Sequence, residues 1–330
     1  MKTAVVILNW NGKTLLEKFL PSVVQFSEGA TVYVADNAST DNSISFITDN
    51  FPSIKIIQNE TNGGYAKGYN DALKNLSEDI FVLLNSDVEV TENWLEPIIA
   101  EFAKDQSVAA AQPKILDYKN RSYFEYAGAA GGFIDKYGFP FCRGRIFDTL
   151  EEDKGQYDDV APIFWASGAC LFIRSEAFRN VAGFDEDYFA HQEEIDLCWR
   201  LLSKNNKILS VGTSKVYHVG GATLGAANAK KTFLNFRNSL FNLIKNVSGP
   251  IAYWTIFMRL ILDAGASLHF LIQGKPRHVL AILQAHFSFY KSIPKFIEKR
   301  QINATNKNYY FTKSIVYQYF VKKKKTFSQL

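Results

Sequence analysis

Short apolar segments and amphipathic segments alternate through the first 113 residues of the chain. The apolar segments are typical of buried strands and lie at 4–10, 31–37, 54–59, 79–85 and 107–113. Apolar residues recur with helical spacing between them, at roughly 14–25, 40–50, 66–76 and 92–104. Repeated βα units place parallel strands side by side, with helices on both faces. The sequence therefore predicts an α/β fold with a mainly parallel sheet flanked by helices.

The alternation weakens beyond residue 113. Residues 113–160 combine glycine, aromatic and charged residues, which favours loops and short strands lining a cleft. Further strands are predicted at 162–173, 207–211 and 214–218, with helices near 175–180 and 193–204. Long helical patterns follow at 229–246, 251–273 and 277–299. A helical extension is thus expected after the α/β region.

The charges are distributed unevenly along the chain. Residues 1–225 contain 20 Lys and Arg against 31 Asp and Glu, whereas residues 226–330 contain 17 against 2. Such a division predicts two regions with different electrostatic partners. We therefore expect one domain at 1–225 and a basic amphipathic helical region at 226–330 that associates with a membrane.

The apolar segment 251–273 is long enough to cross a bilayer. Arg259 and Asp263 lie near its middle, and each would cost about 2.5–3.5 kcal/mol at the bilayer centre. A helix that lies on a membrane or packs on the first domain is therefore favoured over a span. The next helix adds a basic face formed by His278, Lys291, Lys295, Lys299 and Arg300.

These features predict a membrane partner and a cytoplasmic location. Basic residues interleaved with aromatic ones also occur in nucleic-acid binders, but the acidic first region would repel a polyanion, so no nucleic acid is expected. An anionic lipid surface attracts exposed Lys and Arg. The three cysteines are scattered and the first apolar run is too short for a signal peptide. The expected location is peripheral, on the inner face of the plasma membrane.

Polar residues follow the predicted strands at the sheet edge where open α/β sheets bind ligands. The fourth strand ends in Asn85, Ser86 and Asp87, and the second ends in Asp36. One carboxylate can hold Mg²⁺ against a diphosphate, and a strand-end acid can bind a ribose or a base. On the alternative, structural interpretation, the triplet forms an ordinary turn and Asp36 caps a helix.

The third strand leads into a glycine-rich segment, NGGYAKGYN (62–70). Tyr65 occupies the second glycine position of a GxGxxG pattern, which disfavours a dinucleotide-dependent dehydrogenase. Gly64 would let the backbone approach a ligand before a helix N-terminus, although ordinary turn use explains the glycines equally well. Asn70, about one helical turn further on, is a candidate for a polar contact.

Two adjacent glutamates, Glu193 and Glu194, follow an aromatic segment at the start of a helix. The helix dipole explains acids in a first turn, and it accounts well for Asp196. A partly apolar, like-charged setting would also raise a glutamate pKa toward that of a general base. His218 ends a strand before two glycines, so contact with a metal or a diphosphate competes with a structural role.

Taken in order, these segments resemble the family 2 glycosyltransferases, and more narrowly the branch with bacterial rhamnosyltransferases of polysaccharide and O-antigen synthesis. The similar segments cover roughly residues 4–225 and are VVILNWNG (5–12), VADNASTDNS (34–43), NGGYAKGYN (62–70), LLNSDVEV (83–90), WASGACLFIRSEAF (165–178), GFDEDYFAHQEEIDLCWR (183–200) and VYHVGG (216–221). The resemblance implies a GT-A fold, in which one nucleotide-binding α/β domain carries an acceptor cleft.

The resemblance also implies roles for individual residues. Asp87 and His218 would hold a divalent metal, Mg²⁺ or Mn²⁺, and Asn85 stands where the family's DxD motif has its first Asp. Glu194 takes the place of the family's Asp base, with Glu193 as the second candidate. The implied donor-binding residues are Asn9, Asp36, Asn37, Gly64, Asn70, Asn85, Ser86 and Asp87. Trp165 and Trp199 are predicted to lie on the acceptor side.

The implied activity is an inverting transfer of a sugar from a nucleoside-diphosphate donor, dTDP-rhamnose or a UDP-hexose. The acceptor would be a hydroxyl of a glycan linked to a polyprenyl diphosphate, in the synthesis of cell-surface polysaccharide. A sugar-1-phosphate nucleotidyltransferase is an alternative, but residues 8–15 lack the glycine-rich basic loop of those enzymes. A non-catalytic nucleotide-sugar-binding scaffold is the other, because Asn85 and Glu194 depart from the family pattern.

Overall fold

The computed structural model describes residues 1–220, 228–300 and 309–330. The strands within these ranges are β1 (Thr3–Asn9), β2 (Ala30–Asp36), β3 (Lys55–Gln58), β4 (Ile80–Asn85), β5 (Val88–Val90), β6 (Val108–Asp117), β7 (Gly132–Ile134), β8 (Pro140–Cys142), β9 (Arg145–Ile146), β10 (Thr149–Leu150), β11 (Val160–Pro162), β12 (Cys170–Arg174) and β13 (Lys207–His218). The helices are α1 (Lys13–Phe26), α2 (Ser43–Asn50), α3 (Gly64–Leu73), α4 (Glu96–Lys104), α5 (Ser175–Asn180), α6 (Glu193–Ser203), α7 (Ala229–Asn246), α8 (Gly249–Ile272) and α9 (Pro276–Glu298).

A large mixed sheet forms the centre of the molecule, with the order β11-β13-β6-β12-β4-β1-β2-β3 and with β5 beside β13. The strands β3, β2, β1 and β4 are parallel neighbours, and β6 is parallel to β13. Within this order β12 interrupts the parallel strands, because it pairs antiparallel with both β4 and β6. The strands β11 and β5 also pair antiparallel with β13. The predicted α/β fold with a mainly parallel sheet is confirmed.

The central strands are buried on both faces, as their continuous apolar sequences predict. In β1, Ala4 and Val6 belong to the core on one face, while Val5 and Ile7 belong to the core on the other. Register then aligns the strand ends, since Asn9 of β1 pairs with Asp36 of β2 and Leu8 pairs with Asn85 of β4. Polar residues that are distant in sequence therefore meet at one sheet edge.

The apolar strands predicted at 162–173 are two, β11 and β12, and the residues between them are not in a strand. The chain leaves the sheet after β11 and returns at β12, so residues 163–169 form a connection. This connection contacts β7 through a Gly132–Trp165 bridge. The strands predicted at 207–211 and 214–218 are one strand, β13, with an irregularity between Val211 and Lys215. Residues 132–150 form a small antiparallel sheet, β10-β9-β8-β7, where loops and short strands are predicted.

The helices after residue 228 pack on the α/β region. Lys245 of α7 and Lys299 pair with Asp185 at 2.7 and 2.5 Å, and Lys295 of α9 pairs with Asp187 at 2.6 Å. His278 is buried, with its ring 2.7 Å from the Thr232 hydroxyl. Part of the basic face predicted for a membrane thus contacts the protein itself. The predicted domain boundary at 225–226 lies outside the described residues.

Helix α8 buries its charged residues and exposes apolar ones. Arg259 and Asp263 are buried and paired at 2.7 Å, and the guanidinium also donates to the Tyr137 carbonyl. Among the described residues, α8 is the one helix whose length and composition would let it cross a membrane. Its large exposed apolar side chains are Ile251, Tyr253, Trp254, Phe257, Ile261, Leu268, Leu271 and Ile272.

Candidate active site

The carboxyl ends of β1 and β2 form a buried polar corner. The Asn9 amide donates to Asp36 Oδ1 at 2.9 Å, and the Ser39 backbone N–H donates to Asp36 Oδ2 at 2.8 Å. Both predicted donor-binding residues are buried, and Asn9 Oδ1 has no hydrogen-bond partner among the described residues. A buried oxygen atom of this kind needs a hydrogen-bond donor, which water or a bound ligand would supply.

Asn37 and Gly64 fix the loop that enters α3. The Asn37 amide donates to the Gly64 carbonyl at 3.0 Å and accepts from the Asn59 side chain at 2.7 Å. Gly64 has φ of +80°, and a Cβ there would lie 2.5 Å from the Phe189 carbonyl oxygen. The left-handed conformation and the close approach therefore both require glycine.

Asn70 ties α3 to the acidic segment before α6. Its amide donates to the Phe184 carbonyl at 2.9 Å and to Glu186 at 3.2 Å, and it accepts from the Phe184 N–H at 2.9 Å. These contacts occupy the amide on both sides. They favour a positioning role for Asn70 over the predicted contact with a donor.

Asp87 and His218 meet beside the end of β4. The Asp87 Oδ1 atom lies 3.0 Å from His218 Nε2, because the β5–β13 pairing places His218 opposite Val88. The Asn85 amide is 3.5 Å from the same imidazole nitrogen, and Ser86 is only partly buried. Three predicted residues therefore surround one point at the sheet edge.

Glu125 is a member of this group that the sequence reasoning missed. Its Oε2 lies 3.4 Å from His218 Nδ1, and all three side chains of the Asp87–His218–Glu125 set are buried. Burial alone would lower the pKa of His218, but the two carboxylates raise that pKa to about 10. Glu125 lies in the 113–160 stretch, where no motif marks it.

The Asp87–His218 pair fits a divalent cation. Asp87 Oδ1 and His218 Nε2 lie 3.0 Å apart and form a hydrogen-bonded ion pair. Adjacent ligands of an octahedral ion with bonds of ~2.1 Å are also about 3.0 Å apart, so the pair would hold a cation once His218 has lost its proton. A metal-binding histidine commonly has a carboxylate on its other nitrogen. Glu125 Oε2 lies 3.4 Å from His218 Nδ1, although this nitrogen makes no hydrogen bond among the described residues. No group of three or more His, Cys, Asp or Glu side chains placed to hold a metal occurs in the described residues. Further ligands would have to be water or donor oxygens.

Glu193 and Glu194 open helix α6 in an environment that favours their neutral forms. Burial raises the pKa of both carboxyls, that of Glu194 to about 7. Glu193 is 4% exposed, its Oε2 has no partner among the described residues, and the neighbouring Glu194 raises the Glu193 pKa further. Glu194 is only partly buried. Glu194 thus combines a pKa near neutrality with partial exposure to solvent.

The backbone before these glutamates is strained. Phe189, His191 and Gln192 have φ values of +64°, +69° and +72°, in a region that residues with a Cβ adopt rarely. Each such residue costs about 1–3 kcal/mol, and the conformation persists only where surrounding contacts impose it. One contact is the Tyr65 N–H, which donates to the Phe189 carbonyl at 2.9 Å. Strain of this kind is common at functional sites.

The connection 163–169 links the glutamates to the sheet edge. The Tyr65 hydroxyl donates to the Gly168 carbonyl at 2.8 Å, and the Asn85 N–H donates to the Ala169 carbonyl at 3.0 Å. The Ala166 N–H of the same connection donates to Cys198 Sγ at 3.4 Å, and Cys198 belongs to α6, the helix that begins with Glu193 and Glu194. One short loop therefore contacts both parts of the site.

Trp165 and Trp199 are both in the core. The Trp165 indole donates to the Phe133 carbonyl at 3.0 Å and is 3% exposed. Trp199 is 2% exposed and packs against the rings of Phe164 and Tyr309. Their burial favours packing roles over the predicted contact with an acceptor.

Comparison with known proteins matches the sequence of this chain to one family. The profile of "Glycosyl transferase family 2" matches residues 4–180. A relative from Mycobacterium tuberculosis, N-acetylglucosaminyl-diphospho-decaprenol L-rhamnosyltransferase, is 24% identical over 290 residues, covering 83% of this chain and 94% of its own. The pre-mycofactocin glycosyltransferase of the same organism is 27% identical over 54% of this chain and 35% of its own.

Solved structures share the fold at low sequence identity. GalNAc-T7 with UDP, GalNAc and Mn²⁺ superposes with a TM-score of 0.60 at 16% identity, covering 75% of this chain and 48% of its own. S. aureus TarS 1–349 with UDP-GlcNAc gives 0.55 at 14% identity, with 90% and 91% covered. The fold is therefore GT-A, and this chain belongs to glycosyl transferase family 2 as an enzyme that transfers a sugar from a nucleotide-sugar donor.

Proposed function

We propose that the protein is an inverting glycosyltransferase in which Glu194 is the general base and Asp87 and His218 bind a donor-associated divalent metal. The observation that supports this most directly is the Asp87–His218 pair, 3.0 Å apart at the sheet edge. The 163–169 loop contacts both this edge, at Asn85, and α6, at Cys198. Asn9 and Asp36 lie at the neighbouring strand ends, where the nucleoside of the donor would bind.

In the proposed reaction Glu194 accepts the proton of the acceptor hydroxyl. The hydroxyl oxygen forms a bond to the anomeric carbon while the bond from that carbon to the diphosphate oxygen breaks, and the electron pair leaves with the nucleoside diphosphate. Single displacement inverts the anomeric configuration. A bound divalent metal would neutralise charge on the leaving diphosphate. Glu193 lies beside the base and is more deeply buried, and burial and the neighbouring Glu194 raise its pKa, which favours its neutral form.

The proposed donor is dTDP-rhamnose, with a UDP-hexose as the second choice. The resemblance to the rhamnosyltransferase branch and the name of the M. tuberculosis relative support rhamnose. That name also supports an acceptor carried on a polyprenyl diphosphate, which is the acceptor class we propose here. The product would enter the synthesis of a cell-surface polysaccharide.

A screen of nucleotide sugars tests the activity. Purified protein is incubated with dTDP-rhamnose, UDP-hexoses and GDP-mannose, with Mn²⁺, Mg²⁺ or EDTA, and thermal stabilisation and release of nucleoside diphosphate are both measured. One nucleotide sugar with metal should stabilise the protein and be consumed. Stabilisation by a nicotinamide dinucleotide, or no consumption of any sugar nucleotide with a lipid-linked acceptor, would contradict the proposal.

We further propose that α8, α9 and the C-terminal segment attach the enzyme to the inner face of the plasma membrane. The outward face of α8 is apolar, and Leu280, Leu283, Phe287 and Tyr290 form an exposed stripe on α9. Lys275, Arg277 and Lys291 are exposed on the same helical hairpin. Exposed apolar helix faces with nearby cations suit the interface of an anionic bilayer, where the lipid-linked acceptor lies.

Vesicle flotation tests this attachment. We expect binding to vesicles containing phosphatidylglycerol, weakened by salt, and loss of binding in a Trp254→Glu/Phe257→Glu variant because two carboxylates would enter the apolar interface. Val24→Glu, an equivalent change on the exposed face of α1, is the matched control and should bind normally. Equal flotation of all three proteins would contradict membrane docking. Dimerisation through the same face would instead double the molecular mass of the unmodified protein in solution, in the absence of vesicles.

A further inference from the structure

Helix α7, which lies beyond the part of the chain that the family profile matches, contacts the strained segment directly. Asn238 is fully buried, and its Nδ2 lies 3.1, 3.0 and 2.7 Å from the carbonyl oxygens of Tyr188, Ala190 and His191. These residues include or flank Phe189 and His191, two of the three left-handed positions before Glu193. One amide group therefore binds three carbonyls of the backbone that leads to the glutamates.

The orientation of this amide is itself fixed by neighbouring side chains. Arg237 Nε donates to Asn238 Oδ1 at 2.9 Å, which leaves Nδ2 to face the carbonyls. Asn242, one turn further along α7, accepts from the Tyr188 hydroxyl at 2.7 Å and places its Nδ2 3.2 Å from the Gln192 side-chain oxygen. The strained segment is thus held from the α7 side, and by Tyr65 from the α3 side.

We propose that Asn238 is a positioning residue for the glycosyl transfer, holding residues 188–192 in the conformation that presents Glu194 to the acceptor. Its consequence for the reaction rests on the proposed role of Glu194. A backbone of this shape is unfavourable without imposed contacts, and the three carbonyls bound by Asn238 are the groups that would turn if the strain relaxed. A displacement of the Glu194 carboxyl by about 1 Å would slow sugar transfer about 100-fold. Asn238 would thus affect the rate without itself contacting the donor.

Hydrogen exchange tests the positioning role without any substrate. In Asn238→Asp, whose carboxylate cannot donate to the carbonyls at neutral pH, amides in 188–194 should exchange at least about tenfold faster than in the unmodified protein. Asn238→Ala is the second variant, in case Asn238→Asp does not fold. Ser239→Ala is the matched control: Ser239 is equally buried on α7, but its hydroxyl contacts Gly138 and Arg259. Equal exchange in the Asn238 and Ser239 variants would overturn the proposal.

Kinetics with dTDP-rhamnose then separate positioning from general destabilisation. The Asn238 variants should lose about 100-fold in kcat with the donor KM within about twofold, whereas Ser239→Ala should retain both values. An unchanged kcat, or a loss expressed only in KM, would contradict positioning. If the unmodified protein does not use dTDP-rhamnose, that result counts against the proposed donor, and the exchange experiment alone decides the role of Asn238.

Discussion

Glu194→Gln should lower sugar transfer by roughly 10²–10⁴-fold, the usual contribution of a general base, while binding of nucleoside diphosphate and metal is retained. Glutamine has the same shape but cannot accept the proton of the acceptor hydroxyl. Burial raises the pKa of the partly exposed Glu194 carboxyl to about 7, within the working range of the enzyme. Single-turnover transfer and thermal stabilisation by dTDP with Mn²⁺ measure the two properties separately.

Glu193→Gln is the matched control for this prediction. Burial and the neighbouring Glu194 raise the pKa of Glu193 well above its usual value, which favours the neutral form of this side chain. Replacing a neutral acid by a neutral amide should therefore leave turnover within about tenfold of normal. Near-normal turnover in Glu194→Gln, or the larger loss in Glu193→Gln, would show that the base has been assigned wrongly.

The pH dependence of the unmodified enzyme follows from the same carboxyl. A base acts in its deprotonated form, and burial raises the pKa of Glu194 to about 7. Turnover should accordingly rise with pH up to about 7 and level off above it. Burial raises the pKa of Glu193, Tyr65, Cys142 and Cys198, which favours their uncharged forms, and burial lowers the pKa of His191 to about 4. A flat profile between pH 5 and 8 would contradict the assignment.

The parallel sheet and its strand-end residues could be predicted because they depend on local patterns. An apolar run that ends in a polar residue marks the carboxyl end of a buried strand, and parallel pairing then brings Asn9, Asp36 and Asn85 to one edge. The same reasoning identifies His218, since it also ends an apolar strand. These predictions need only the strand period and the direction of the chain.

Other parts of the site depend on contacts between distant residues, which a single sequence does not reveal. Glu125 approaches His218 from an irregular segment, and Asn238 reaches the strained loop from a helix whose pattern indicates only burial. Trp199 has the residue type of a sugar-binding platform, yet the helical period places it on the buried face of α6. Lys295 and Lys299 belong to a basic stripe by sequence, but they pair with Asp185 and Asp187.

Asp87→Asn should abolish metal-dependent donor binding and lower transfer by at least about 100-fold. Asp87 supplies the one carboxylate among the three residues of the Asn85–Ser86–Asp87 triplet, and its oxygen is 3.0 Å from the proposed second ligand, His218. An amide oxygen carries no charge to offset the cation, and the nitrogen of the amide cannot coordinate it. Stabilisation of the protein by dTDP with increasing Mn²⁺, followed by thermal unfolding, measures the loss directly.

Asn85→Asp provides the opposite change at the same site. The Asn85 amide lies 3.5 Å from the His218 imidazole, so the substitution places a second carboxylate beside that ring. The Mn²⁺ concentration for half-maximal activation should therefore fall about tenfold. Each substituted side chain in Asp87→Asn and Asn85→Asp is nearly isosteric with the one it replaces, and the two variants change the charge of the site in opposite directions. Effects on metal affinity are therefore separated from effects on packing. Opposite shifts in the Mn²⁺ requirement are expected. If both variants had the metal dependence of the unmodified enzyme, the sheet edge would have to bind the diphosphate without a cation at Asp87.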